Sequence, residues 1–292
     1  MLLRHLHYKY ANTMIKITAI ETGKAVCKTA QVTGKEGRSP IGRKIDIFRD
    51  PNFVKPLPIL AFLIEHPEGN FLVDTGDTAK NSMPGYLPTW NPFFTKMVSI
   101  KVAPAEEIGF KLHQLGINPA TDIEAVILTH FHHDHAGGLD HFPHNRIIGS
   151  RENYNEARSL KGKVAGYLPQ RMPIWLKPEL IDFTDNPVGD FPASYPITKD
   201  GIIFLVPTPG HCTGHLSVVV RDKNITYFLA GDASYNEENI RNEKTDGVTF
   251  KPDVALKTLR AIKNFALSEP TILLPCHDPN SIKRLADRQI FK

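Results

Sequence analysis

The sequence predicts an α/β protein, from three observations. Apolar runs of strand length alternate with turns, as at Ile59–Glu65 and Asn70–Asp74, which flank Pro67-Glu68-Gly69. Pro252–Leu267 has the apolar spacing of an amphipathic helix with a proline at its start. Ile123–Thr129 has the pattern of a buried strand, and a group of histidines begins where it ends, which is where α/β folds place their sites.

In the first half of the chain, Met14–Ala19 and Lys24–Val32 are predicted strands. Asn81–Ile100 mixes prolines with aromatic residues, and this density of proline forbids a regular helix through its first half. Ala103–Leu115 then has helical spacing and is followed by a glycine, which is typical of a helix C-terminus.

In the second half, Ser150 is the predicted N-cap of a short helix that reaches Ser159, and Lys161–Asp190 is predicted to be irregular. Further strands are predicted at Gly201–Val206, Leu216–Val220, Ile225–Ala230 and Thr271–Leu274. Four of the predicted strands end at a histidine or an aspartate. Histidines scattered through a core would not be expected to fall at strand ends in this way.

Composition excludes several classes of protein. The net charge of +4 comes from interspersed residues, and no block of like charge indicates a nucleic-acid-binding arm. No segment has the length and apolarity of a signal peptide or a membrane helix. The three cysteines, Cys27, Cys212 and Cys276, are too scattered for a disulfide framework and indicate a reducing compartment. The sequence therefore predicts a soluble, cytoplasmic protein with a small-molecule substrate.

The densest chemistry lies at Thr129–Gly138, which reads Thr-His-Phe-His-His-Asp-His-Ala-Gly-Gly. Imidazole and carboxylate are the ligands of zinc and its neighbours, and crowding them is costly unless a cation compensates. The alternative is a solvated loop, but the spacing of His130, His132, Asp134 and His135 fits a two-metal site better.

Together with His211 in Thr-Pro-Gly-His, Asp232 in Gly-Asp and the late His277, this motif resembles the metallo-β-lactamase superfamily from Met14 to the C-terminus. The resemblance implies one hydrolase domain at 14–292, preceded by an N-terminal extension at 1–13. It implies a four-layer αββα sandwich with two metal ions between the sheets. The implied ligands are His130, His132 and His211 for one ion, Asp134, His135 and His277 for the other, and Asp232 as the bridge.

Within the superfamily, class B β-lactamases have a cysteine where this chain has Asp232. Asp232-Ala233-Ser234-Tyr235 and Pro-Gly-His-Cys-Thr-Gly-His are similar to the N-acyl homoserine lactone lactonases, the quorum-quenching enzymes, in which this tyrosine contacts the substrate. The chain departs from that family in its extension and in Cys276, where a glycine often precedes the histidine. The resemblance implies hydrolysis of an acyl lactone.

The expected cofactors are two divalent ions, Zn²⁺ first, with Fe, Co or Mn as alternatives, because nitrogen and oxygen ligands accept all of them. The expected nucleophile is a hydroxide that bridges the two ions. Tyr235 would donate a hydrogen bond to the developing oxyanion, and Asp134 would carry a proton to the leaving alkoxide.

Several alternatives stay open. Tyr235 can instead be a core tyrosine. A glyoxalase-II-like thioesterase shares the ligand set but needs a basic site for glutathione, and no dedicated cluster of Lys and Arg is evident. A phosphoesterase of the same fold and a non-catalytic metal-binding scaffold are further alternatives. The aromatic segments 81–100 and 163–182 fit either an acyl-chain pocket or a homodimer interface.

The remaining polar residues are predicted to have supporting roles. Asp74, before a glycine turn, is expected to cap backbone amides. His215 is expected to support a ligand. His133, His141 and His144 are expected not to bind metal. Cys212 and Cys276 each adjoin a ligand histidine, and the alternation of extended backbone predicts that both point away as small buried groups.

Overall fold

A computed structural model describes residues 15–292, so the predicted extension Met1–Thr13 lies outside the described residues. Twelve strands of this described part form two sheets. The first sheet has the spatial order β4-β1-β2-β3-β5-β6-β7 and comprises β1 (Lys16–Cys27), β2 (Leu57–His66), β3 (Gly69–Val73), β4 (Val98–Lys101), β5 (Ile123–Ile127), β6 (Arg146–Ser150) and β7 (Glu179–Ile181). The second has the order β12-β11-β10-β9-β8 and comprises β8 (Tyr195–Pro196), β9 (Ile203–Pro207), β10 (Leu216–Asp222), β11 (Ile225–Gly231) and β12 (Thr271–Pro275).

Both sheets mix the two kinds of strand pairing. In the first sheet β4, β1, β2 and β3 pair antiparallel, and β3, β5, β6 and β7 pair parallel. In the second, β8 to β11 pair antiparallel and β11 pairs parallel with β12. The helices are α1 (Thr29–Val32), α2 (Pro40–Arg49), α3 (Ile108–Gln114), α4 (His133–Ala136), α5 (Arg151–Arg158), α6 (Leu160–Ala165), α7 (Glu237–Arg241), α8 (Pro252–Ser268) and α9 (Ser281–Ala286).

The alternation of side chains along β2 shows how the layers are built. Leu60, Phe62 and Ile64 point into a core shared with the second sheet, whereas Ala61 and Leu63 point into a core shared with α3. Each of the larger buried side chains contributes about 1.5–3 kcal/mol of transfer free energy, so both faces of the strand hold the sheet in place.

The second sheet is covered on its outer face by α8, whose Leu259, Ile262 and Phe265 pack on Phe228 and its neighbours. The order of layers is therefore helix, sheet, sheet, helix, and the predicted four-layer sandwich is confirmed. Within residues 15–292, none of the helices combines the length and the apolarity required to cross a bilayer.

Two predicted segments differ from the structure. The strand predicted at Lys24–Val32 is wrong beyond Cys27, because β1 ends there and α1 follows. Tertiary contacts stabilise the helical turn in place of a strand. The amide of Ala30 donates to the carboxylate of Asp50, and the carbonyl of Gln31 accepts from the amide of Gly247. The segment 161–190, predicted to be irregular, contains most of α6 and the short strand β7.

Candidate metal centre

The predicted ligands lie at one edge of the sandwich, where strands of both sheets end. His130 follows β5 of the first sheet, and His211 lies in the turn between β9 and β10 of the second. Asp232 follows β11, and His277 lies two residues beyond the end of β12. Because the carboxyl ends of β5, β11 and β12 meet at the same edge, residues far apart in sequence come together.

Three imidazoles form the first cluster. Nε2 of His130 lies 2.9 Å from Nδ1 of His132, which lies 3.1 Å from Nε2 of His211. Zinc–nitrogen bonds of about 2.0–2.1 Å in a tetrahedral site imply nitrogen separations of about 3.3 Å, close to those seen. Burial and the charge of His211 lower the pKa of His132 to about 3, so its imidazole is in the neutral form that binds metals.

The second cluster surrounds the carboxylate of Asp232. Its Oδ1 lies 3.4 Å from Nε2 of His135 and 3.3 Å from Nε2 of His277. Oδ2 of Asp134 is 3.4 Å from the same atom of His277. The other oxygen of Asp232, Oδ2, lies 3.5 Å from Nε2 of His211, so this carboxylate faces both clusters.

The outward nitrogen of four of these histidines lies within hydrogen-bonding distance of an oxygen. The pairs are His130 Nδ1 with Thr129 Oγ1 (3.1 Å), His135 Nδ1 with Asp74 Oδ2 (2.8 Å), His211 Nδ1 with Asp246 Oδ2 (3.4 Å) and His277 Nδ1 with the carbonyl of Pro58 (2.9 Å). An imidazole that donates from one nitrogen keeps the lone pair of the other nitrogen free. Each of these rings can therefore present its Nε2 as a ligand toward the site.

The charge of the site also suits cations. Burial lowers the pKa of His135, but the carboxylate of Asp232 and its neighbours outweigh that effect and hold the pKa well above its ordinary value. The pKa of His277 is raised against the effect of burial by Cys276 and Asp232. Positive charge is thus favourable beside these rings, and a bound divalent cation would supply it in place of a proton. The residues present fit a divalent-metal site in spacing, donor type and charge.

Two supporting residues behave as predicted. Asp74 accepts hydrogen bonds from the amide and the hydroxyl of Thr129, in addition to its contact with His135. The backbone amide of Asp232 donates to Nε2 of the fully buried His215 at 3.1 Å. Gly231, the residue before Asp232, has φ 55°. A Cβ at this position would lie 2.8 Å from Nε2 of His215, so the position requires glycine.

His133, which was expected not to bind metal, begins α4, is buried and holds Nε2 3.2 Å from Oδ1 of Asp77. One prediction about a neighbouring residue is wrong. Cys276 was expected to point away from the site, but its Sγ lies 2.8 Å from Oδ1 of Asp232. The physical reason is that Cys276 does not lie on extended backbone, because β12 has already ended at Pro275.

The other minor predictions agree with the structure. Cys212 is buried, and its sulfur accepts a hydrogen bond from the side-chain amide of Asn153. His141 contacts Glu107 at 2.8 Å, and His144 is exposed, so neither belongs to the two clusters.

A cavity of about 290 Å³ opens beside the clusters. Its lining includes the polar residues Asp134, Asp232 and Tyr235. It also includes the apolar residues Ile47, Phe93, Phe94, Met97, Val164 and Phe250. Both predicted aromatic segments contribute residues to the cavity lining. Segment 81–100 does so through residues 91–100, and segment 163–182 only through residues 164–166. Trp175 is not part of the lining and packs instead on the outer core of the first sheet.

Two polar residues of the site carry no signal in the sequence. Asp246 reaches His211 from the loop after α7, and Gln31 of α1 reaches the hydroxyl of Tyr235 at 3.0 Å. Neither lies near a histidine in sequence or follows an apolar run, so only the tertiary structure brings them to the site.

Comparison with known proteins agrees with this geometry. The profile of the Metallo-beta-lactamase superfamily matches residues 54–277. An N-acyl homoserine lactonase of Bacillus sp is 30% identical over 231 residues, which cover 78% of this chain and 84% of that protein. The N-acyl homoserine lactonase AttM of Rhizobium radiobacter is 24% identical to this chain, over an alignment that covers 92% of this chain and 95% of AttM.

Among solved structures, an N-acyl homoserine lactone hydrolase with N-hexanoyl-L-homoserine bound at its catalytic metal centre is similar to this chain. The two structures superpose with a TM-score of 0.75, and their sequences are 25% identical. The alignment covers 93% of this chain and 96% of the hydrolase chain. The chain belongs to the metallo-β-lactamase superfamily and, within it, to the family of the N-acyl homoserine lactonases.

Proposed function

We propose that this protein hydrolyses the lactone ring of N-acyl homoserine lactones to give N-acyl homoserines. Two divalent metal ions, zinc in the first place, serve as its cofactors. The proposed ligands are His130, His132 and His211 for one ion, Asp134, His135 and His277 for the other, and Asp232 between them.

The observation that carries this proposal is the continuity of the two clusters with an apolar cavity. The cavity is lined by Asp232 and Tyr235 and also by Phe93, Phe94 and Phe250. Such a space suits an acyl chain attached to a polar head, because each methylene removed from water contributes about 0.8 kcal/mol. In the similar solved structure, the bound product has this same composition, an acyl chain on a homoserine.

The cations supply Lewis acidity, which makes water a stronger acid and stabilises negative charge on a carbonyl oxygen. The chain itself supplies the proton donors and the orientation. Asp134 lies at the mouth of the second cluster with its side chain 21% exposed, so it can pass a proton between the site and a leaving alkoxide.

In this proposal Tyr235 donates a hydrogen bond to the lactone carbonyl oxygen. Its ring stacks on that of His277, with centroids 5.3 Å apart, and the residue lines the cavity. Burial raises the pKa of this phenol well above its ordinary value, so it remains a protonated donor at neutral pH. A donor aimed at developing charge stabilises the transition state more than the ground state.

The glyoxalase-II-like thioesterase remains the runner-up, and the cavity argues against it. Glutathione carries two carboxylates, which proteins bind with arginine or lysine. Lys44 is the single lysine or arginine in the cavity lining of the described residues, and its ammonium lies 4.2 Å from the centroid of Phe250. One cation packed on an aromatic ring does not provide a dicarboxylate site.

We further propose that 14–292 act as one hydrolase domain in the cytoplasm. Ligands from both sheets complete the proposed site, so neither sheet could provide it alone. The three cysteines are free and buried, which suits a reducing compartment.

One experiment tests the function and its cofactors together. Purified protein is assayed against a series of acyl homoserine lactones and against S-lactoylglutathione, with metal analysis of the same sample. We expect ring opening, two ions per chain, and loss of at least one ion in Asp232→Ala. Hydrolysis of the thioester alone, or a full metal content in Asp232→Ala, would contradict the proposal.

A further inference from the structure

Cys276 brings a sulfur atom to the second cluster. The residue is 1% exposed, and its Sγ lies 2.8 Å from Oδ1 of Asp232 and 4.0 Å from Nε2 of His135. In the part of the chain that the structure describes, these are the polar contacts of the thiol. Cys276 stands where the lactonases often have a glycine, so this chain offers a side-chain donor that a glycine lacks.

The backbone holds Cys276 beside the cluster. Its amide donates to the carbonyl of Gly231 at 3.4 Å, and its carbonyl accepts from the amide of Leu60 at 3.1 Å. Gly231 ends β11 of the second sheet, and Leu60 lies on β2 of the first. Both backbone groups are therefore paired, one with each sheet, and the Cα of Cys276 is fixed next to Asp232.

Four donor atoms of the second cluster lie close together. They belong to His135, Asp232, Cys276 and His277, and every two of them lie within 4.8 Å of each other. Zinc–nitrogen bonds of about 2.0–2.1 Å and a zinc–sulfur bond of about 2.3 Å place the donors of a tetrahedral ion about 3.3–3.6 Å apart. The separations of Sγ from Asp232 and from His135, 2.8 and 4.0 Å, lie on either side of that range. The set has the size that one ion can fill.

Asp134 approaches the same rings from the exposed side. Its Oδ1 lies 3.9 Å from Nε2 of His135 and its Oδ2 lies 3.4 Å from Nε2 of His277, and its side chain is 21% exposed. The proposed function gives this carboxylate two tasks, to hold the ion and to carry a proton. The tasks conflict, because a carboxylate binds a metal only when it is deprotonated. A further donor on the buried side would remove the conflict.

We propose that Cys276 binds the second metal ion as a thiolate and completes a set of four buried donors with Asp232 and the two histidines of that cluster. The thiol proton is released to solvent when the ion binds. Asp134 can then take up a proton without release of the ion. This inference rests on the proposed metal centre and adds a sulfur ligand to it. A thiolate also favours zinc over manganese, which prefers oxygen ligands.

X-ray absorption at the zinc edge detects a sulfur ligand directly. The protein is loaded with zinc in a buffer free of thiols, and its metal content is measured. A zinc–sulfur bond of about 2.3 Å is longer than zinc–nitrogen and zinc–oxygen bonds of about 2.0–2.2 Å, so sulfur gives a separate shell. We expect one sulfur for every two zinc ions.

Cys276→Ser distinguishes a ligand from a hydrogen-bond donor. Serine keeps a donor for Oδ1 of Asp232, but its hydroxyl does not replace a thiolate on zinc. We expect the sulfur shell to disappear and the affinity for the second zinc ion to fall by at least about 10- to 100-fold, the cost of losing a mere outer partner of a ligand. The preference for zinc over manganese should fall as well.

Cys212→Ser is the matched control. Cys212 is also buried and also adjoins a proposed ligand, His211, but its sulfur accepts a hydrogen bond from the side-chain amide of Asn153 at 3.2 Å and lies outside the two clusters. We expect the sulfur shell and the zinc affinity of the wild type in this variant. Thermal unfolding of both variants without metal checks that each is folded.

Each outcome decides a separate question. A zinc-loaded wild type without a sulfur shell, or a shell that persists in Cys276→Ser, overturns the role of Cys276 and leaves the lactonase function intact. If Cys276→Ser does not fold, a shell that persists in Cys212→Ser and in Cys27→Ser supports Cys276, because the chain has three cysteines, and its loss in either variant overturns the inference. A wild type that binds no zinc overturns the proposed metal centre, and the inference falls with it.

Discussion

Replacing Asp74 by asparagine should weaken metal binding without a change in any ligand. Asp74 has φ 59°, a left-handed conformation that asparagine adopts more readily than most residues, so the backbone is preserved. The carboxylate accepts from the amide and the hydroxyl of Thr129 and from Nδ1 of His135. Asparagine has one acceptor oxygen, so it keeps the contact with the Thr129 amide and turns an N–H toward His135.

That N–H conflicts with the ring of His135. To accept from the asparagine, Nδ1 must give up its proton, and the proton then resides on Nε2, the atom that faces Asp232 at 3.4 Å. A protonated Nε2 cannot bind a metal. The lost hydrogen bond to a charged group is worth about 1.5–3 kcal/mol, which corresponds to a fall in metal affinity of about 10- to 150-fold.

The assay is competition for metal between the protein and a chromophoric chelator. Asp222→Asn is the control, since it removes a buried carboxylate at the opposite end of β10, away from both clusters. We expect the affinity of the control to equal that of the wild type. If Asp74→Asn binds metal as tightly as the wild type, His135 is not oriented by Asp74 or is not a ligand.

Three further predictions follow from the same geometry. Tyr235→Phe should lower kcat on acyl homoserine lactones about tenfold at unchanged metal content, because one of the groups that stabilise the oxyanion is lost; an unchanged rate would make Tyr235 structural. Phe94→Ala should lower kcat/KM for long acyl chains by about fourfold per methylene that loses its contact, whereas Trp175→Ala, outside the cavity, should leave chain-length preference unchanged. Burial raises the pKa of all three thiols, that of Cys27 to about 12, so each thiol should resist a disulfide reagent until the protein is unfolded. Fast labelling of the native protein would contradict this burial.

The proposed metal ligands could be predicted from the sequence because each one is marked by a local pattern. His130 to His135 form a dense motif after an apolar strand, and His211, Asp232 and His277 each come at or just beyond the end of another apolar run. The individual strands were predicted from apolar runs of strand length. The pairing of these strands into two stacked sheets was predicted only from the resemblance to a family. Periodicity within one strand carries no information about its partner.

The rest of the site depends on contacts that no local pattern encodes. Gln31 and Asp246 reach the site because α1 is hydrogen-bonded to Asn239 of α7 and to Gly247 of the loop that follows α7. Cys276 was mispredicted because the rule of alternating side chains was applied one residue past the end of β12. In each case the deciding information was the path of the backbone after a regular element stops.

The two clusters draw their donors from both sheets, so metal ions bound there would cross-link the fold. The proposed ligands stretch from His130 to His277, so bound ions close chain loops of more than a hundred residues that would otherwise be held by packing alone. Ions that bind only the folded chain stabilise it by mass action, by about 1.4 kcal/mol per ion for each tenfold rise in free metal above its dissociation constant. The supply of metal in the cell would then govern how long each molecule survives unfolding and proteolysis, as well as how fast it turns over.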